Sequence, residues 1–161
     1  AMLDTLTAQG AAAVNIIPDR NWNLADPAQK AIKIAHLGRY VAACEARHLP
    51  INIGTEMNRD GLPFVDRLEG AELRPYRDAF IRGAQIMVGH SILLRYAGFS
   101  YTGPQADAEF GADRAARNRL FAAAGALPPL TTEGAAALRD AGEAGALARI
   151  RDAARRGRWT P

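Results

Sequence analysis

Asp19, Glu56 and His90 are the residues of this chain whose types and settings can do chemistry together. Each follows a short, β-prone apolar run. Val14-Asn15-Ile16-Ile17 leads into Pro18-Asp19-Arg20-Asn21, Ile51-Asn52-Ile53 leads through Gly54 to Glu56, and Ile86-Met87-Val88 leads through Gly89 to His90. In parallel α/β architecture the C-terminal ends of strands lie along one edge, so three such junctions converge. Two carboxylates and an imidazole at that edge suit Zn²⁺, Mn²⁺ or Mg²⁺ as ligands, and suit proton transfer as acid and base. A metal so held lowers the pKa of a bound water and presents a phosphoester or similar oxyanion for attack. Arg20 can clamp such an anion bidentately, with Asn21, Asn23 and Asn58 as further substrate-binding groups and Trp22 as a pocket wall.

Each of these residues also has a plainer reading. Glu56 can cap a turn, and Asp19 with its asparagine neighbours can form an Asx-turn beside a buried tryptophan. A lone histidine such as His90 is usually packed or hydrogen-bonded. His36 in mid-helix and His48 at a helix end read as structural, and Ser91 has no base partner in sequence. Cys44, the only cysteine, falls at apolar helical spacing and reads as a packed thiol. It excludes an internal disulfide and a thiolate metal cluster within one chain.

The elements that must position these groups follow from periodicity and punctuation. About Leu3 to Ala11 reads as a helix ending near Gly10, followed at once by the Val14–Ile17 strand. Asp26-Pro27 is a strong helix start, a capping carboxylate before a first-position proline. Ile34, Leu37, Val41 and Cys44 give the helix from Pro27 to Arg47 its buried stripe, and Pro50 prevents its continuation. The Ile51–Ile53 strand follows, completing a βαβ unit, which implies parallel strands. A turn-rich loop covers Arg59 to Gly70, and a helix is expected from Ala71 to Gly83. Ile86–Val88 is expected to be a third strand, with Ile92–Ala97 a short helix or turn after it. Beyond Ala106 the strand signals stop, and alanine-rich helices are expected at about 106–124, 132–141 and 143–156, split by Pro128-Pro129 and Gly142.

The expected fold is therefore α/β. A small parallel sheet of about three strands is flanked by helices, partial TIM-barrel-like, with a helical C-terminal extension. Residues 1–104 form the α/β segment with its three strand-to-loop junctions, and residues 105–161 the extension. At 161 residues, 48% hydrophobic and 23% charged, the chain is of the ordinary globular class. No apolar run approaches the ~20 residues of a membrane span, and no leader pattern opens the chain, so no membrane partner and a cytoplasmic location are expected. The net charge of +3 is uneven: residues 147–161 carry five arginines against Asp152 alone. Cations there complement a helix C-terminus, and without interleaved aromatics they do not point to nucleic acid.

The stretch Leu49-Pro50-Ile51-Asn52-Ile53-Gly54-Thr55-Glu56-Met57-Asn58 resembles a late-strand pattern of the PHP (polymerase and histidinol phosphatase) family. That pattern is an apolar run followed by Gly, Ser, Asp, Ala and His, in which the Asp and His bind metal. By this resemblance Glu56 takes the Asp place and Asn58 the His place. The resemblance covers residues 13–100, and the family's early His-x-His pair is absent from this chain. It implies the C-terminal part of a PHP-type metal-dependent hydrolase barrel, or a degenerate relative of one. Metal-dependent phosphoester hydrolysis is the expected function, with a non-catalytic ligand-binding or assembly module as the alternative. A small-molecule phosphoester or similar anion is the expected ligand. A short sheet with open edges implies a homo-oligomer or a missing N-terminal half.

Overall fold

Asp26 and Pro27 begin their helix as their chemistry dictates. In the computed structural model, which describes residues 2–55, 60 and 64–160, the Asp26 carboxylate accepts from the Ala28 N–H at 2.9 Å, and Pro27 occupies the first turn. The chain divides into two compact units, Ala1–Arg82 and Gly83–Pro161.

In the first unit, helix α1 (Met2–Ala8) ends before Gly10, whose φ of +99° is the backbone freedom that residue supplies. Strand β1 (Val14–Ile16) follows, then the single turn α2 (Asp19–Trp22) and helix α3 (Pro27–Glu45). Arg47 and His48 form the turn that leaves α3, with His48 at a φ of +51°, and Leu49-Pro50 delivers the chain into β2 (Ile51–Ile53). The strands are parallel, with Val14 opposite Ile51, Asn15 opposite Asn52 and Ile16 opposite Ile53. Val14 N–H donates to Pro50 C=O at 2.9 Å, and Gly54 N–H donates to Ile16 C=O at 2.8 Å, so the pairing extends to Gly54. Leu37, Val41 and Cys44 of α3 pack with Leu3, Leu49, Ile51, Leu73 and Phe80 as the core of this unit. Cys44 is fully buried, which raises its thiol pKa.

The structure overturns the three-stranded sheet. Among the described residues the sheet has two strands, and the fold is mostly helical rather than a partial barrel. Ile86–Val88, expected to be the third strand, lies in the interior of helix α4 (Arg77–Ala97). The expected helix over Ala71–Gly83 is instead a 3₁₀ turn at Arg74–Tyr76 followed by the start of α4, and Ile92–Ala97 is its last turns. The misreading has a physical source. Gly83 and Gly89 flank the apolar triplet like strand punctuation, yet both are buried helix positions. A Cβ on Gly89 would stand 2.0 Å from the Phe121 carbonyl oxygen, and one on Gly125 would stand 1.8 Å from that of Gln85. These glycines let two helix backbones touch; they do not end a strand.

The second unit continues with α5 (Pro104–Phe110), α6 (Arg114–Gly125) and α7 (Thr132–Arg156). A single helix over 106–124 is thus divided at Gly111, where φ is +50°. Gly142 interrupts α7 with non-helical angles, so it is helical on both sides of a kink. Phe99 stacks on Phe121 at 5.6 Å between centroids and Tyr101 meets Phe121 edge-on at 5.1 Å. Arg117 ties the loop around them by donating to the carbonyls of Tyr101, Ala106 and Gly111 and to Asp107 Oδ1.

Candidate functional site

The exit of β1 carries the polar groups that the sequence picks out. Pro18 is buried and turns the chain from β1 into α2, so that Asp19, Arg20, Asn21 and Trp22 form one helical turn directly beyond the strand. Residues three apart on such a turn share a face, which puts Asp19 and Trp22 on the same side. Asn21 Nδ2 donates back to the Ile17 carbonyl at 3.3 Å, and the Asn23 N–H closes the turn onto the Asp19 carbonyl. Asn21 therefore builds the turn with its side chain, and Asn23 with its backbone alone. Arg20 is exposed.

Behind that turn stands a residue the sequence reading did not single out. Asp66 is only 5% exposed, the one buried charged side chain among the described residues. The Trp22 indole N–H donates to Asp66 Oδ1 at 3.2 Å across 44 residues of sequence. The other oxygen, Asp66 Oδ2, and the Asp19 Oδ1 oxygen are both buried and have no hydrogen-bond partner among the described residues. Leaving a buried acceptor unsatisfied costs about 1–3 kcal/mol, and more when the group is charged. Burial pushes the Asp66 carboxyl above the usual carboxylate value. The Trp22 hydrogen bond opposes that push, and the negative charge of nearby Asp19 adds to it.

The surroundings place opposite charge nearby. The Arg67 guanidinium lies over the Trp22 ring, 5.6 Å from its centroid. An open cleft of about 530 Å³ is lined by residues 65–70, Asp66 and Arg67 among them. Across the strand pair, the Asn15 carboxamide lies where a side chain at position 54 would stand, since a Cβ on Gly54 would be 3.1 Å from Asn15 Nδ2. A side chain at position 54 would therefore press on the exposed Asn15 carboxamide.

The remaining expected site residues fall elsewhere. Glu56 and Asn58 lie outside the described residues. His90 belongs to the second unit and to the interior of α4, not to a strand exit. Its Nδ1 accepts the Tyr101 N–H at 3.2 Å and its ring lies 6.5 Å from that of Phe121, so it fastens the chain that follows α4. That hydrogen bond engages Nδ1 of the ring within its own unit. Ser91 donates to the Met87 carbonyl one turn back and is likewise committed to its helix. Among the described residues no group of three or more His, Cys, Asp or Glu side chains is gathered as a metal site. None of the described helices is long and apolar enough to cross a membrane.

The signal for Asp66 was faint. It stands in a stretch dense with turn residues, and nothing local marks it as buried; only its tertiary partner Trp22 does. Asp19, by contrast, was marked by the β-prone run before it. Comparison of the chain with protein-family models, with curated proteins and with solved structures finds no match.

Proposed function

We propose that this chain carries the acidic site of a divalent-metal-dependent phosphoester hydrolase. The observation that supports it best is Asp19, a carboxylate directly beyond the end of a parallel strand, with a buried oxygen that has no partner in the described protein. Oxygen donors of this kind fit a hard divalent cation. A bound divalent ion supplies Lewis acidity and a more acidic water. Asp19 holds charge at the strand exit, and Glu56 follows Ile53 by three residues in sequence. Arg20 on the exposed side of α2 and Arg67 over Trp22 bring positive charge for a phosphoryl group.

The test is hydrolysis of p-nitrophenyl phosphate by chelator-treated protein with Mn²⁺ or Mg²⁺ restored. The wild-type chain is expected to gain activity with metal, and Asp19→Ala to lose it by about 100-fold or more, the scale of removing a principal electrostatic group. Equal rates in the two proteins, or no metal dependence, remove the hydrolase reading.

A non-catalytic binding or assembly module is favoured by a different observation. Phe64 and Val65, two adjacent large apolar side chains, are 80% and 63% exposed at the 65–70 cleft. Concentration-dependent self-association abolished by Phe64→Ser supports that reading, and a monomer at all concentrations removes its self-assembly form.

A further inference from the structure

We propose that Asp19 and Asp66 together bind one hard divalent cation, Mg²⁺ or Mn²⁺, through Asp19 Oδ1 and Asp66 Oδ2. The assignment rests on the reading of Asp19 given above and deepens it by naming a second ligand and the class of metal. Three features of the molecule carry it. Both oxygens are buried, and neither has a partner among the described residues. The Asp66 side chain, almost wholly buried, is not free to turn toward solvent because the Trp22 N–H fixes its other oxygen at 3.2 Å. Trp22 stands three residues after Asp19 on the same face of α2, so the hydrogen bond that fixes Asp66 holds it against the turn that carries Asp19.

The chemistry of the donors narrows the ion. Both are carboxylate oxygens, with no imidazole or thiolate beside them among the described residues. Zn²⁺ sites draw on nitrogen and sulfur ligands in sets of three or four. Mg²⁺, and Mn²⁺ with similar oxygen preference, is held by one or two carboxylates, keeps several waters, and completes its shell with substrate phosphate. Two carboxylates, one of them in the wall of a cleft that carries Arg67, match the second pattern. The Trp22–Asp66 hydrogen bond then orients a ligand in the way an outer-shell donor does at a metal centre.

Mn²⁺ titrated into the chelator-treated chain, with free Mn²⁺ read by electron paramagnetic resonance, tests the site without reference to activity. One Mn²⁺ per chain is expected, displaced by millimolar Mg²⁺. Asp66→Asn keeps an acceptor for the Trp22 N–H and is expected to weaken binding by about tenfold or more. Asp78→Asn, an exposed carboxylate on α4, is expected to leave it unchanged. If Asp66→Asn does not fold by circular dichroism, Asp19→Asn is the deciding variant, with the same expectation. Absence of stoichiometric Mn²⁺, or undiminished binding in the folded variant, overturns the proposal. Binding lost in Asp66→Asn from a wild-type chain that hydrolyses no phosphoester leaves the cation site standing and removes the hydrolase. Metal-dependent hydrolysis with Mn²⁺ binding intact in Asp66→Asn does the reverse.

Discussion

At Asp66 a carboxyl is pushed up by burial, partly relieved by the Trp22 N–H, and pushed further by the charge of Asp19. A raised folded-state pKa has a definite sign in stability. At pH below the ordinary carboxylate range both folded and unfolded chains are protonated there, and the site costs nothing. As pH rises through the raised folded value, the native chain must ionise a buried group that the unfolded chain ionises freely, and stability is lost. Asn cannot ionise and keeps an oxygen for Trp22, so Asp66→Asn is expected to melt higher than the wild type at pH 7 in the presence of chelator. A gain of ~1 kcal/mol, about 4 °C in Tm, is the expected scale. The gain is expected to shrink toward zero as pH falls through the carboxylate range. Thermal melts from pH 3 to pH 8 check it; a variant that melts lower at pH 7, or a gain that grows toward acid, contradicts the account of burial. A residue that lowers stability while sitting in a fixed, buried position is the kind that function retains. Sequence showed one half of this pair. Asp19 was legible because a β-prone run and a proline precede it, whereas Asp66 is acidic in a stretch of turn residues where acidic residues are ordinary. His90 shows the opposite failure, since its glycine neighbour suggested a strand exit and the residue is a helix-interior hydrogen-bond acceptor.

Among the elements, α4 separates what periodicity could and could not tell. Ile86-Met87-Val88 between two glycines reads as a strand when the window is short. Over a longer window the buried positions are Phe80, Gly83, Ile86, Gly89, Leu93 and Ala97, a helical spacing in which two of the six are glycines. Glycine scored as a breaker hid that stripe, because its use here is tertiary: the backbones of α4 and α6 meet at Gly89 and Gly125. This yields a test in which two effects have opposite signs. Helix propensity alone predicts that Gly89→Ala stabilises by ~1 kcal/mol. The Cβ would stand 2.0 Å from the Phe121 carbonyl oxygen, a backbone atom that cannot swing away, so the helices must separate. Overpacking of that severity costs about 3 kcal/mol or more and wins. Urea denaturation is expected to show Gly89→Ala destabilised by at least ~2 kcal/mol after the propensity gain is offset. A stabilised variant contradicts the close crossing. The α3 helix was the easier case, since Asp26, Pro27 and the Leu37–Val41–Cys44 stripe are local signals and all agree.

Across the whole chain, the βαβ piece at β1–α3–β2 was legible because its strands, crossover and caps lie in one continuous stretch. The extent of the sheet was not, since a third strand is a statement about distant neighbours. The two units each hold one tryptophan, Trp22 in the first and Trp159 in the second, and Trp159 is buried against Gly134 with its own N–H unpartnered among the described residues. The pair gives each unit its own optical probe. A cation at Asp19 and Asp66 sits one hydrogen bond from the Trp22 indole, and ligand binding to the folded state raises its stability by RT ln(1 + [L]/Kd), about 2.7 kcal/mol at a hundredfold excess over Kd. In Trp159→Phe, where Trp22 alone emits, Mn²⁺ is therefore expected to change the emission and to raise the midpoint of the Trp22-monitored unfolding transition. In Trp22→Phe, the native emission of Trp159 is expected to be indifferent to Mn²⁺. Unchanged Trp22 emission at saturating Mn²⁺ would place any bound ion away from Asp66. A response confined to Trp159 would assign the ion to the helical second unit and overturn the Asp19–Asp66 site.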